Sequence, residues 1–425
     1  MPSCEVLVIG GGPAGSSVAA LLAERGRDVV LLEKERHPRF HIGESLLPLN
    51  LPLFEALGVA KEIERIAMPK YGAEFVSPWH EQTVTFNFAD AWDKSFPTAY
   101  QVRRSEFDEI LFRNAARKGA RVSEGCRATA VEFHDAGATI STRRDDGAEE
   151  LWQTEFLVDA SGRDTFLANR LEMKRRNRKH NSAAIFGHFS GATRAPGKAA
   201  GNIVIFWFDH GWLWFIPLAD STTSIGAVCW PYYMKSRNTE LRQFLLDTIA
   251  LSPALAGRLA NATLVSPVTA TGNYSYIAER TMGRNYLLLG DAFTFIDPVF
   301  STGVYLAMQS AFVGADTIER CLDKPRQARA ALKAFDRSMR HGPRLFSWLI
   351  YRVTTPVLRD MFMAPSNRFR LQEALLSVLA GDVFGGTPLK LRLLTFKIMY
   401  YVRALLQPRT SWLAWLKRRQ AIQAT

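Results

Sequence analysis

Disulfide and metal chemistry are the first things this sequence lacks. Its four cysteines (Cys4, Cys126, Cys229, Cys321) lie far apart, with no CxxC pair and no histidine-rich cluster. Neither a disulfide framework nor a metal site follows, and a reducing cytoplasm fits that usage. No uncharged apolar run approaches the roughly 20 residues that cross a bilayer. The glycine-rich start predicts that no signal peptide precedes the fold. Internal repeats and low-complexity tracts are missing as well. Acids are outnumbered, 41 Asp and Glu against 53 Lys and Arg, for a net charge of +12. No nucleic-acid-binding motif accompanies that charge, so no nucleic-acid partner is expected. An acidic protein or an anionic membrane surface suits it better. What is present is bulk: 425 residues, 47% of them hydrophobic, enough for one large core or two modest ones.

The chain is organised around residues 4–48. Residues 6–9 form a short apolar run of the kind that makes a buried parallel strand. It turns through Gly10, Gly12 and Gly15 into a helix of small residues and then into a second apolar strand ending at Glu33. Gly10 permits the tight turn, Gly12 lets the backbone approach a pyrophosphate, and Gly15 lets helix and strand pack closely. The helix N-terminus offers unpaired N–H groups to phosphates. Glu33, about twenty residues on, stands where a ribose-binding carboxylate belongs. A Gly-rich turn between two core elements would leave Glu33 unexplained.

Residues 51–67 and 105–118 have helical spacing, and residues 128–133 and 138–142 read as a hairpin. The basic run at 170–180, opposed only by Glu172, reads as a solvated loop. Residues 184–230 read as an antiparallel meander, a different architecture and the natural substrate layer. Residues 286–289 return as a buried strand feeding Gly290-Asp291-Ala292, and a helix starts after Ser301-Thr302-Gly303. The sequence beyond Pro343 is helical and aromatic.

The ordered motifs GxGxxG, Val158-Asp159-Ala160-Ser161-Gly162 and Leu289-Gly290-Asp291-Ala292 resemble the flavin monooxygenase superfamily with the p-hydroxybenzoate hydroxylase-like fold. Four further stretches resemble its flavin-dependent halogenase branch: His41-Ile42-Gly43-Glu44-Ser45, Trp212-Leu213-Trp214-Phe215-Ile216-Pro217, the stretch Phe295 to Gly303, and Lys70 within Pro-Lys-Tyr-Gly-Ala. The likeness is greatest to members acting on phenols and on carrier-bound pyrroles, and continues through residues 379–384.

That resemblance implies an α/β fold. An FAD-binding domain (1–66, 100–170, 277–340) would carry an inserted antiparallel substrate sheet (67–99, 171–276) and a C-terminal helical region (341–425). It implies that Gly11 and Ala14 lie against the pyrophosphate, that Asp291 and Arg104 bind FAD, and that Glu44 and Val304 lie beside the isoalloxazine. FAD, reduced by a separate flavin reductase, would oxidise chloride or bromide to hypohalous acid. The halide would be held by the backbone N–H groups of Thr302 and Gly303 at a helix start, which is also an ordinary N-cap. Trp212 and Trp214, two apart on one strand, would be either core indoles or a wall keeping substrate off the flavin. Lys70 would be catalytic, by hydrogen-bonding hypohalous acid or by forming a haloamine.

One position departs from the pattern. The tryptophan-halogenase branch has a glutamate before Ser-Thr-Gly, where this chain has Phe300. An intrinsically electron-rich ring, a phenol or pyrrole, free or bound to a carrier protein, is therefore the expected substrate. An aromatic hydroxylase on the same fold, or a non-catalytic flavoprotein docking in a biosynthetic assembly, are the other readings.

Residues 387–425 contain no acid, and Lys390, Arg392, Lys397, Arg403, Arg409, Lys417, Arg418 and Arg419 alternate with leucines and tryptophans. Such a tail suits the inner membrane surface, the acidic face of a carrier protein, or packing on the FAD domain with a solvated basic side.

Overall fold

The computed structural model describes residues 1–272, 275–385 and 387–423. The fold is α/β. Its first sheet is built on Ser3–Ile9, whose residues from Val6 on are buried. A strand flanked on both edges and covered on both faces needs apolar side chains at every position, hence the unbroken run. Val29–Leu32 pairs with it in parallel on one side and Glu149–Asp159 on the other. Arg121–Ser123 and Tyr286–Leu288 extend the parallel sheet outward, and Met282–Gly283 closes one edge in antiparallel fashion. The expected hairpin forms from Cys126–His134 and Gly137–Arg144 and continues into Glu149–Asp159. Helix Pro13–Glu24 packs against both Arg104–Arg117 and Gly303–Asp323, so the early and late parts of the chain meet at the fingerprint.

The second sheet contains the expected meander, Ile203–Phe208, Gly211–Pro217 and Thr222–Cys229. Ala183–Ser190 pairs with its last strand, and Gly72–Val76 joins its first in parallel. Strand alternation splits the side chains cleanly. Phe186, Ile205, Trp212, Trp214 and Val228 face the main core. Ile185, Phe206, Leu213, Phe215 and Ile225 face a second core that includes residues of helices Leu241–Ala250 and Pro253–Arg258.

One expectation changes. The basic run is not simply a solvated loop: Lys174–Arg176 is a strand paired with Tyr276–Ala278, because alternate residues of the run can face solvent while the backbone is bonded. The sequence beyond Pro343 is helical as expected, and Pro343 itself lies inside helix Ala328–Ile350. Helices Pro356–Met363, Leu371–Leu379, Lys390–Leu406 and Pro408–Gln423 follow. Among the described residues, no helix is long and apolar enough to cross a membrane.

Candidate active site

The fingerprint glycines are fixed by contact. Gly10 has φ +104°, and a Cβ there would lie 2.4 Å from the Ala160 carbonyl oxygen. A Cβ on Gly15 would lie 1.8 Å from the Gly10 oxygen, so helix and turn touch with no room for alanine. A Cβ on Gly11 would meet the Phe112 ring at 2.6 Å. Beside Gly12 the nearest such contact is Arg39 at 3.6 Å, which leaves space at the helix N-terminus. No side chain caps that helix, and Ala14 is buried in its first turn.

Glu33 is buried behind the glycines. Its carboxylate accepts from the N–H of Gly11 at 2.8 Å and of Glu35 at 3.0 Å, with Arg39 at 3.3 Å. Arg39 also reaches Asp108 at 3.2 Å, and Arg104 holds Asp108 through two bonds of 2.8 and 3.0 Å. Burial pushes the Asp108 carboxyl up, but Arg104, His41 and Arg39 outweigh it and hold the group below its ordinary range. The same setting pushes His41 down to about 4, by burial first and the Arg104 charge second. Arg104 also donates to the Ile42 carbonyl at 2.8 Å. Two of its five N–H groups therefore hold Asp108 on the same helix, and one braces the segment before Glu44.

Buried acceptors without protein donors line the path onward. Asp291 follows Gly290 (φ +54°), and no described residue donates to its carboxylate. Burial raises it to about 6, against the pull of Arg104 and Arg163. Glu44 is 1% exposed. Its Oε1 meets His188 Nε2 at 2.9 Å, and its Oε2 is buried with no partner. Such orphaned acceptors carry a desolvation cost that a cofactor's hydroxyl and N–H donors relieve. Together with the glycine cradle and Glu33 they fit FAD.

The Phe295–Gly303 segment closes the other side. Ser301 has φ +56°, and helix Gly303–Asp323 begins with Thr302 as its cap residue. The N–H groups of Thr302 and Gly303 have no acceptor among the described residues. A Cβ on Gly303 would meet only Phe295, at 4.0 Å, so the backbone is open there. A cavity bounded by Asp291, Asp297, Thr302 and Gly303 lies alongside. Val304 is buried in the main core. Phe300 stacks on Phe362 at 6.3 Å, and Phe362 in turn meets Phe75, Phe86 and Trp207. An aromatic cluster thus occupies the place where the related branch has a carboxylate.

Lys70 is 1% exposed and, among the described residues, has no carboxylate within ion-pair reach. Its Nζ donates to Ser45 Oγ at 2.9 Å and to the Leu46 carbonyl at 3.0 Å, and it lies 5.2 Å from the centre of the Phe88 ring. Burial pushes it down to about 7. Trp212 and Trp214 share one face, their rings 6.0 Å apart. Trp214 is pinned by a bond to Ser224 and by Gly226, where a Cβ would meet the indole at 2.3 Å.

The structure therefore brings Glu44, Ser45 and Lys70 together, and separately Glu33 with Gly11. Sequence reasoning missed Arg39, Asp108, His188 and the His180–Asp297 pair, whose ring nitrogen and carboxylate lie 2.8 Å apart. Arg104 and Asp108 stand at i,i+4 on one helix, a spacing that signals their pairing. The alternation Ser182, Ala184, Phe186, His188 likewise places His188 on the inward face.

Residues 3–327 match the FAD binding domain family. The chain is 35% identical to a tryptophan 2-halogenase of Chondromyces crocatus over 75% of its own length, and spans 61% of that relative. It is 29% identical to the 1H-pyrrole-2-carbonyl-[peptidyl-carrier protein] chlorinase of Pseudomonas fluorescens, over 91% of each chain. Among solved structures, the myxobacterial chondrochloren halogenase CndH superposes with a TM-score of 0.79 at 34% identity, over 82% of each chain. The family-model match, together with 34% identity to CndH over 82% of each chain, shows that the chain belongs to the flavin-dependent halogenases.

Proposed function

We propose that this chain is an FADH2-dependent halogenase of electron-rich aromatic rings, with Lys70 as the residue that carries the halogen to substrate. The carrying observation is the state of Lys70: fully buried, free of carboxylates, and engaged by two acceptors. Two acceptors match the two N–H groups of a neutral amine, which leaves its lone pair free; an ammonium would need a third. Bound FAD, reduced by a separate flavin reductase, supplies with O2 the oxidation of chloride or bromide to hypohalous acid. The N–H groups of Thr302 and Gly303 orient the halide, aided by the positive helix end. Lys70 then attacks the halogen of hypohalous acid. The N–X bond forms as the O–X bond breaks, and the amine proton leaves with hydroxide as water. Transfer of halogen to the ring regenerates the amine as the ring proton departs.

The cofactor cradle consists of Gly10, Gly11, Gly12, Ala14 and Gly15, with Glu33, Glu44, Arg104, Asp291 and Val304. Trp212 and Trp214 act as the wall that keeps the ring from the flavin. With Phe300 locked into an aromatic cluster, no carboxylate stands there to activate a weak nucleophile. The substrate therefore supplies its own electrons, as a phenol or pyrrole does. The name of one relative, for a carrier-bound pyrrole, agrees with that class, while another, for tryptophan, names the substrate that Phe300 argues against.

The test is mass analysis of phenol, pyrrole and indole substrates, free and carrier-bound, with reduced FAD, O2 and either halide. A product with the halogen isotope pattern supports the reading. A hydroxylated product formed without halide makes the chain a monooxygenase, and neither product makes it a docking flavoprotein.

A further inference from the structure

Far along the chain, three segments enclose an open groove of about 850 Å3. Arg178 and Lys179 come from the basic run, Arg344 from the long helix and Arg352 from the turn just after it, and Arg418 and Arg419 from the last helix. No acid lines the groove, and none of the six cations has a carboxylate within 4 Å among the described residues. Arg418 is spent on backbone carbonyls of Tyr351 and Lys179, and Arg352 on Trp348 and Tyr401. Burial, and then the neighbouring Arg352 charge, push Arg418 down to about 10. Gathering like charges in a concave site costs free energy unless an anion enters it.

A second observation adjoins the first. Helix Lys390–Leu406 buries only Phe396 and Tyr400. Its Leu391, Leu394, Ile398, Leu405 and Leu406 are exposed, the last two at 79% and 76%. These positions recur at helical spacing and form one stripe. On the next helix Trp412 and Leu413 are 59% and 65% exposed, and Trp412 stacks on Trp415, which lines the groove. An apolar stripe with tryptophans at its border and unneutralised cations beside it is the pattern of a helix lying in a membrane interface. An acidic protein partner would account for the cations and leave the leucines in water.

We propose that the two C-terminal helices dock this chain on an anionic membrane surface, with the groove receiving the phosphate of an anionic lipid headgroup. The stripe enters the acyl boundary while Arg178, Arg344 and Arg419 face the headgroups. This surface lies outside the catalytic machinery and is independent of the substrate assigned above.

The experiment is co-sedimentation of the intact chain with vesicles of phosphatidylglycerol and phosphatidylcholine, against phosphatidylcholine alone. Binding is expected only to the anionic vesicles, and to weaken as salt rises. Arg178→Glu/Arg344→Glu/Arg419→Glu alters exposed side chains and is expected to weaken partitioning at least about a hundredfold. Leu405→Ser/Trp412→Ser is expected to abolish it, while FAD binding and halogenation of a free substrate persist. No partitioning of the wild-type chain, or equal partitioning of both variants, overturns the proposal. So does a wild-type dimer that Leu405→Ser/Trp412→Ser dissociates without any vesicle binding, since the stripe would then be a contact between copies.

Discussion

Lys70 Nζ stands 2.9 Å from Ser45 Oγ, across 25 residues of chain. That bond joins two segments with different duties. Ser45 follows Glu44, whose Oε2 is buried without a partner among the described residues and is proposed to face the flavin, while Lys70 is proposed to face the substrate. Ser45 also bridges to Gln101 in the backbone, and Met68–Lys70 pairs with Ala99–Gln101. The lysine is therefore held on a small platform of paired backbone, which suits the delivery role proposed for it.

Burying Lys70 carries a stability cost. Its folded value, about 7, is depressed from 10.5, so between those values the unfolded chain binds the extra proton. Stability from this group therefore rises with pH from about 7 to 10.5 and is least below 7. Lys70→Met removes the amine, leaves the Leu46 carbonyl unpaired, and is expected to stabilise the fold at pH 7 by about 1–2 kcal/mol. Denaturant unfolding of wild type and variant at pH 6 and pH 9 checks this. The gap between them narrows at the higher pH.

The same value sets the activity profile. With the neutral amine as the proposed attacking form, halogenation with excess hypohalous acid supplied externally is expected to rise through about pH 7. A substrate that does not itself titrate between pH 5 and 9, with the Lys70→Ala profile subtracted to remove the ionisation of hypohalous acid and its direct reaction with the ring, isolates the effect. A rate that instead falls through pH 7 identifies the ammonium as the working form.

Gly15→Ala places a methyl group 1.8 Å from a backbone oxygen, where nothing flexible can give way. Loss of FAD binding and of several kcal/mol of stability is expected, about 3 or more. Gly26→Ala, at φ +84° with no atom within 4 Å, provides the control. It costs only the strain of a left-handed alanine, about 1 kcal/mol, and retains the cofactor. FAD fluorescence and thermal unfolding read both.

Phe300→Glu restores the carboxylate of the related branch but drives it among Phe362, Phe75 and Trp207. A charge without a partner there is expected to cost about 3 kcal/mol or more at pH 8 and less at pH 5, where the group is protonated. Thermal unfolding at the two pH values separates this from a simple cavity, which has no pH dependence.

Much of this was readable in advance because it is local. Gly10, Gly15 and Glu33 lie within one strand–helix–strand unit, and Trp212 and Trp214 share a face by the period of a strand. The rest depends on pairings across the chain. Glu44 meets His188 across 144 residues, and His180 meets Asp297 across 117. No local spacing encodes either. The basic run was misread for the same reason: its strand exists only because Tyr276–Ala278 comes to lie beside it. Likewise the isolation of Lys70 from every carboxylate is a property of the packed molecule, not of the segment Pro-Lys-Tyr-Gly-Ala.

The central claim is that Lys70 transfers the halogen and takes no part in making the oxidant. The most direct measurement follows two products side by side in Lys70→Ala and wild type, with reduced FAD, O2 and halide. One is hypohalous acid captured by a diketone trap, the other the halogenated aromatic by mass. The account predicts near-normal trapping by Lys70→Ala, with FAD binding unchanged, and ring halogenation reduced on the order of a thousandfold, about 4 kcal/mol of barrier. Lys70→Arg fails alike, because guanidinium does not lose its proton. Near-normal ring halogenation by Lys70→Ala, or loss of the trapped oxidant, contradicts it.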